Sequence, residues 1–130
     1  MPTQAQAKIL IMEDDGQLCD LFSRALRHAG YEVYTASTLR AAQAHLDQHK
    51  FDMFLCDLHI GQDRALRLLQ EQAATLISQG TQIVVMSAES QYRGSCEDLG
   101  IDFYLEKPVL PQTLLGFVER LLSAPTSSIN

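Results

Sequence analysis

Short apolar segments alternate with longer amphipathic segments along the whole chain. Four of the apolar segments occupy residues 9–12, 53–56, 83–86 and 103–105. Uninterrupted apolar runs of this length are typical of strands that are buried on both faces of a parallel sheet. Between them, apolar residues recur at the three- and four-residue spacing of amphipathic helices. The pattern predicts an α/β fold of the doubly wound, three-layer type.

The helices and the second strand can be placed from their apolar residues and from the residues that start or end a helix. Apolar positions from Leu18 to Ala29 predict the first helix, and Gly30 suits the left-handed conformation that ends it. Residues 31–36 form the second strand, and Ser37 is the expected N-cap of the second helix.

The later elements follow in the same way. A polar loop over residues 58–63 leads to a third helix over residues 64–78. The segment 89–98 is polar and contains Gly94, so it predicts only a short fourth helix. Pro111 fits the first turn of a last amphipathic helix.

Polar side chains stand at the carboxyl ends of four predicted strands. The first strand leads into Glu13-Asp14-Asp15, the third into Asp57, the fourth into Ser87 and the fifth into Lys107. Ligands of open α/β sheets bind beyond the carboxyl ends of the strands. We therefore expect carboxylates, a hydroxyl and an ammonium to converge on one edge of the sheet.

This set of groups suits phosphoryl transfer. Neighbouring carboxylates repel one another, so Glu13, Asp14 and Asp57 must either raise a pKa or bind a cation. Oxygen-only ligands favour Mg²⁺, which uses one or two carboxylates together with phosphate oxygens. Ser87 and Lys107 can bind phosphoryl oxygens, and a carboxylate can itself be the nucleophile.

Composition narrows the function further. The chain has 130 residues, enough for one domain, and its formal net charge of −6 disfavours direct nucleic-acid binding. The sequence predicts no membrane-spanning segment and no signal peptide. The three cysteines are interpreted as reduced thiols of a cytoplasmic protein.

Residues 1–7 are expected to be disordered, residues 8–122 to form the domain, and residues 123–130 to be a flexible tail or the start of a linker.

Four motifs resemble those of bacterial two-component response-regulator receiver domains. They are Leu10-Ile11-Met12-Glu13-Asp14-Asp15, Cys56-Asp57-Leu58, Val84-Val85-Met86-Ser87-Ala88 and Tyr104-Leu105-Glu106-Lys107-Pro108. The resemblance covers residues 8–122 in the family's order. It implies a CheY-like, flavodoxin-like fold with five helices and a five-stranded parallel sheet in the order 2-1-3-4-5.

The resemblance also implies a role for each matching residue. Asp57 would accept a phosphoryl group from a sensor histidine kinase or a histidine phosphotransfer protein. Asp14 would bind Mg²⁺ directly, together with Asp57 and the backbone carbonyl of His59, while Glu13 would act through water. Ser87 would be the switch hydroxyl, Lys107 its cationic partner, and Tyr104 the aromatic residue whose orientation reports activation. The Lys107-Pro108 bond would be cis.

The chain departs from the family at several positions. Ile60-Gly61 and Ala65 replace the family's usual Met-Pro and glycine after the acceptor. The segment between Ser87 and Gly100 is slightly short, which puts the family's dimer geometry in doubt. A homodimer through the face formed by the fourth helix, the fifth strand and the fifth helix is nevertheless expected. His59 and Glu89 occupy the variable positions that tune hydrolysis of the aspartyl phosphate in the family.

Alternative interpretations accompany these roles. The whole chain could be a degenerate receiver that binds proteins without phosphorylation, and a small phosphotransferase or phosphatase is a third class. We expect no enzymatic turnover beyond the chain's own phosphoryl group, because no acid–base residue lies beside Asp57 and the chain has no cap domain. Tyr104 could be a half-buried strand residue that never switches.

Five other residues have a structural interpretation beside a functional one. Asp15 is favoured as a helix start over a third metal ligand. His45 and His49 have the spacing of zinc ligands, but without a third ligand we expect a solvated helix face. Tyr92 and Arg93 suit a partner surface and ordinary exposed positions equally well. No effector domain follows residue 122, so the chain is expected to be a single-domain regulator or a piece of a longer protein.

Overall fold

The computed structural model describes residues 6–60 and 64–123. Strands and helices alternate along it as the hydrophobic pattern predicts. The elements are β1 (Lys8–Met12), α1 (Gly16–His28), β2 (Glu32–Ala36), α2 (Leu39–Gln48), β3 (Met53–Asp57), α3 (Arg64–Ser78), β4 (Gln82–Ser87), α4 (Arg93–Asp98), β5 (Phe103–Glu106) and α5 (Pro111–Ser123). A 3-10 turn, Ser90–Tyr92, precedes α4.

The five strands form one parallel sheet in the order β2-β1-β3-β4-β5. The predicted doubly wound architecture and the strand order 2-1-3-4-5 are confirmed. Met12 lies opposite Cys56 in the register of β1 and β3. The next residue of each strand end, Glu13 and Asp57, is therefore placed at the same edge of the sheet.

The sheet is covered on both faces, since alternate side chains of each strand point to opposite sides. On one face, Leu10, Phe54 and Val85 pack with buried residues of α2 and α3. On the other, Ile9 and Leu55 belong to the cluster that α1 and α5 complete. Burial on both sides explains why the strands are uninterrupted apolar runs.

The residues that start and end the first helices partly match the prediction. Asp15 caps α1, because its carboxylate accepts a hydrogen bond from the amide of Leu18 at 3.1 Å. The expected helix-start role of Asp15 is thus confirmed, as is the left-handed Gly30 with φ of 103°. The prediction that Ser37 caps α2 is wrong: Thr38 does so, with its hydroxyl accepting from the amide of Ala41 at 3.0 Å.

Two further expectations need correction. His45 and His49 are half-buried rather than on a solvated helix face, because their rings pack against Tyr34 at centroid distances of 5.4 and 4.6 Å. The loop after β3 is not uniformly polar in its described part, since Leu58 and Ile60 are buried in the core. Apolar side chains therefore anchor the start of this loop beneath the sheet edge.

The described part of the chain also bears on the predicted segments. No helix within residues 6–60 and 64–123 is long and apolar enough to cross a bilayer. Gly61 and Asp63 lie outside the described residues. The predictions for residues 1–7 and 123–130 fall largely outside them as well and stay predictions. The fourth helix has six residues, which confirms its predicted truncation.

Candidate functional site

Two buried carboxylates and one ammonium form the centre of the site. Glu13 follows β1 and Asp57 ends β3, and each is only 1% exposed. The ammonium nitrogen of Lys107, from the segment after β5, lies 3.1 Å from Asp57 Oδ2 and 3.4 Å from Glu13 Oε1. We call these three residues the acidic pocket. The Lys107-Pro108 peptide beside it is cis, as predicted.

Electrostatics in the acidic pocket favour a charged lysine. Burial disfavours the ammonium, but the charges and hydrogen bonds of Asp57 and Glu13 outweigh that effect and raise the pKa of Lys107. The side chain of Lys107 remains 21% exposed, whereas both carboxylates are almost fully buried. Lys107 is therefore a fixed positive charge between two buried acids.

Glu13 is the group in this pocket whose protonation is most perturbed. Burial, a hydrogen bond with Asp57 and the charge of Asp57 raise the pKa of Glu13 to about 7, although Lys107 opposes the shift. The amide of Asp15 donates to Glu13 Oε2 at 3.3 Å. Without a bound metal ion the pocket thus relieves carboxylate repulsion by holding a proton on Glu13 near neutral pH.

Asp14 completes an acidic cluster at the mouth of the pocket. Asp14 is exposed, and one carboxylate oxygen from each of Glu13, Asp14 and Asp57 lies within 4.8 Å of the other two. Two buried carboxylates and one exposed carboxylate form an oxygen-only donor set open to solvent, which suits Mg²⁺. The chemistry of this donor set therefore fits the metal that the sequence predicts.

His59 contributes to the pocket through its main chain and reaches beyond it through its ring. The amide of His59 donates to Asp57 Oδ1 at 3.0 Å, which fixes the Asp57 carboxylate opposite Lys107. The imidazole Nε2 lies 3.4 Å from Ser87 Oγ. The predicted role of the His59 carbonyl as a metal ligand stays a prediction.

Ser87 and Tyr104 meet at one backbone carbonyl. Ser87 Oγ accepts from the amide of Glu89 at 3.0 Å and donates to the carbonyl of Glu89 at 3.2 Å. The hydroxyl of Tyr104 donates to the same carbonyl. The guanidinium carbon of Arg93 lies 4.8 Å from the centroid of the Tyr104 ring. We call Ser87, Glu89, Arg93 and Tyr104 the switch region.

The sequence prediction brought together the right side chains but missed two contributions. The Glu89 carbonyl was missed because a main-chain group carries no sequence signal. Arg93 lies in the segment predicted as the fourth helix, but the sequence gives no sign of its contact with Tyr104. Only the fold places its guanidinium over the Tyr104 ring. The side chains of Glu13, Asp57 and Lys107 are brought together as predicted, Asp14 lies at the rim, and Ser87 Oγ lies beside the imidazole of His59.

Comparison with protein families identifies the domain. The model of the response regulator receiver domain matches residues 9–119. The chain belongs to this family. Its receiver domain is also similar in sequence to part of several longer regulators.

Two curated relatives are longer regulators, and this receiver domain matches only part of the length of each. The alginate biosynthesis transcriptional regulatory protein AlgB of Pseudomonas aeruginosa is 29% identical over 114 residues, covering 86% of this chain and 25% of AlgB. The transcriptional regulatory protein ZraR of Escherichia coli is 30% identical over 130 residues, covering 98% of this chain and 29% of ZraR. The receiver domain thus spans about a quarter to a third of these relatives.

A solved receiver shows that the fold is shared. The phosphorylated cyanobacterial phytochrome response regulator RcpA has a TM-score of 0.82 and 27% sequence identity. The match covers 94% of this chain and 98% of the RcpA chain. The CheY-like architecture of the receiver domain is therefore shown along nearly its whole length.

Proposed function

We propose that this receiver domain accepts a phosphoryl group on Asp57 from a phosphohistidine of a sensor kinase or phosphotransfer protein. The observation that carries the proposal is the Asp57 carboxylate, buried and held at 3.1 Å from the ammonium of Lys107. Response regulator receivers interact with such donors in general, and the comparison receiver RcpA is phosphorylated. The domain would be a signalling phosphoacceptor rather than an enzyme with a separate substrate.

In the proposed transfer, a carboxylate oxygen of Asp57 attacks the phosphorus atom of the donor's phosphohistidine. The bond between this phosphorus atom and the imidazole nitrogen breaks at the same time. The imidazole leaves with the electron pair of that bond, and Asp57 becomes an acyl phosphate. Lys107 offers a positive charge to the phosphoryl oxygens, which lowers the energy of the transition state. The amide of His59 holds the other side of the acceptor carboxylate.

Mg²⁺ is the proposed cofactor of this reaction. Asp14, Asp57 and the backbone carbonyl of His59 would hold it, with Glu13 acting through water. When bound, Mg²⁺ supplies positive charge that neutralises the phosphoryl oxygens. Glu13 would lose the proton that its raised pKa retains at neutral pH, because a nearby cation stabilises the carboxylate.

Ser87 and Tyr104 are proposed to convert phosphorylation into a surface change. The Ser87 hydroxyl would turn from the Glu89 carbonyl toward the phosphoryl group and donate a hydrogen bond to it. The environment of Tyr104 would change with it, because both side chains bond the same carbonyl. Phosphorylation would thereby alter the surface near α4 and β5.

We also propose that the activated domain forms a homodimer through the α4-β5-α5 face. A groove of about 260 Å³ lies on this face between β5 and α5, and Leu110 at its border is 66% exposed. Glu106 and Arg120 line the same groove with opposite charges, which suits a two-fold contact.

The net charge of −6 supports the prediction that this domain does not bind nucleic acid directly. Cytoplasmic localisation stays a prediction.

Incubation with acetyl phosphate, followed by intact-mass measurement with and without Mg²⁺, tests the proposed function. We expect a gain of one phosphoryl group that needs Mg²⁺ and is absent from Asp57→Asn. Asp47→Asn, which makes the same change at an exposed position on α2, should behave as the parent protein.

No gain under any condition would contradict the proposal. The degenerate receiver, which signals by binding alone, would then be the better explanation. A gain that persists in Asp57→Asn would place the acceptor on another residue.

A further inference from the structure

Two hydroxyls converge on the carbonyl oxygen of Glu89. Ser87 Oγ donates to it at 3.2 Å, and the Tyr104 hydroxyl donates to it from β5. A carbonyl oxygen has two lone pairs and can accept both bonds. The loss of one donor therefore leaves the carbonyl satisfied as long as the other donor stays in place.

Arg93 covers the ring of Tyr104. It is the first residue of α4, and its guanidinium carbon lies 4.8 Å from the ring centroid, within the range of a cation–π contact. Tyr104 is half-buried, and Arg93 is exposed on the outside of it. Two contacts from the segment that follows β4 thus hold this side chain: the Glu89 carbonyl at the hydroxyl and the Arg93 guanidinium at the ring.

We propose that Arg93 is a positioning residue that holds Tyr104 on the Glu89 carbonyl and thereby favours the turn of Ser87 toward Asp57. When the Ser87 hydroxyl turns away from the Glu89 carbonyl, that oxygen still accepts the hydrogen bond from Tyr104. This remaining bond lowers the free-energy cost of the Ser87 movement. This inference rests on the proposed function for its consequence, but the contact between Arg93 and Tyr104 can be tested without phosphorylation.

The size of the expected effect follows from the exposure of Arg93. Cation–π contacts of exposed side chains correspond to a change of about twofold to fivefold in an equilibrium constant. Removal of Arg93 should therefore raise the population of other Tyr104 orientations by about this factor. The affinity of the acidic pocket for a phosphoryl mimic should fall by no more than the same factor.

The first measurement is the χ1 torsion of Tyr104 in the unphosphorylated protein, from three-bond NMR couplings. We expect one dominant rotamer in the parent protein, an increased minor population in Arg93→Ala, and recovery in Arg93→Lys, which keeps the positive charge. Arg24→Ala removes an equal charge from α1, where Arg24 pairs with Asp20, and should leave the Tyr104 couplings unchanged.

The second measurement is the affinity for beryllium trifluoride in the presence of Mg²⁺. Arg93→Ala should bind this phosphoryl mimic more weakly than the parent protein, by no more than about fivefold. In a Tyr104→Phe background, which keeps the ring and removes the hydroxyl, the same substitution should have no effect on affinity. That double-mutant cycle separates positioning through the Tyr104 hydroxyl from a general effect of charge.

Three outcomes would overturn the inference. They are unchanged couplings in Arg93→Ala, altered couplings with unchanged or tighter binding of beryllium trifluoride, and an equal loss of affinity in the Tyr104→Phe background. Failure of the parent protein to bind the mimic would contradict the proposed function instead. The couplings would still show whether Arg93 positions Tyr104.

Discussion

The acidic pocket and the switch region lie at the same edge of the sheet but are held together differently. In the acidic pocket, Glu13 and Asp57 are buried and bonded through a lysine ammonium. In the switch region, Ser87 and Tyr104 bond a backbone carbonyl, and exposed Arg93 covers the tyrosine ring. The first region depends on buried charge, and the second on neutral hydrogen bonds from a buried serine and a half-buried tyrosine.

Because of this difference, we expect the acidic pocket to be rigid and the switch region to be free to rearrange. Removing one partner from a buried ion pair costs about 3–5 kcal/mol, because the remaining charge has no counterion. A neutral hydrogen bond contributes only about 0.5–1.5 kcal/mol to stability. The side chains of the acidic pocket are therefore fixed, whereas those of the switch region can rearrange at low cost.

The largest expected effect comes from removing the cation of the acidic pocket. Lys107→Ala should lower the free energy of unfolding by about 3 kcal/mol at pH 8, at the lower end of the range because Lys107 is partly exposed. The loss should be smaller at pH 6, where Glu13 holds a proton. Urea denaturation measures both values, and exposed Lys50→Ala serves as the control. Equal values for the two variants would show that the acidic pocket does not depend on its ion pairs.

The second effect is a pH dependence set by Glu13. Its pKa is raised from 4.5 to about 7, so the folded state holds more protons than the unfolded state between these values. Stability should therefore fall as pH rises from 4.5 to 7, by about 2–3 kcal/mol, in metal-free buffer. Urea denaturation across this range should give a flatter profile for Glu13→Gln. A profile that rises with pH in the parent protein and is unchanged by the substitution would contradict the raised pKa.

The smallest effect is expected in the switch region. Ser87→Ala removes the hydroxyl bonds to Glu89 and should cost about 1 kcal/mol, because these bonds are neutral and Tyr104 still donates to the Glu89 carbonyl. His59→Ala removes only a contact of 3.4 Å from an exposed ring and should cost less than about 0.5 kcal/mol. Thermal or urea unfolding compares the two variants. A cost for Ser87→Ala as large as that for Lys107→Ala would remove the contrast between the regions.

The fold was largely predictable because its strands are buried on both faces. Short apolar runs such as residues 53–56, separated by helix-length amphipathic segments, are typical of buried strands in a parallel sheet. The error at Ser37 has a local cause: two adjacent residues, Ser37 and Thr38, can both cap a helix, and only the position of the first turn decides between them. The half-buried rings of His45 and His49 depend on Tyr34, a residue from another element.

The acidic pocket was more predictable than the switch region for a related reason. Glu13, Asp57 and Lys107 follow strands directly, so the sheet itself determines that they meet. Arg93 belongs to a helix whose start depends on a 3-10 turn, and the Glu89 group that accepts from Ser87 and Tyr104 is a main-chain carbonyl. Neither feature leaves a pattern of side-chain types in the sequence. The His59 carbonyl is also a main-chain group, so its role as a metal ligand stays a prediction.

The six residues of α4 have a consequence for local unfolding. A helix of this length contains very few internal hydrogen bonds, and Cys96 is its buried residue. The free energy needed to open it should therefore lie far below that of global unfolding. Amide hydrogens of residues 93–98 should exchange with solvent earlier than those of α1 or α5, while the sheet stays protected. A binding partner at this surface would then select among several arrangements of one short helix, rather than recognise a single rigid shape.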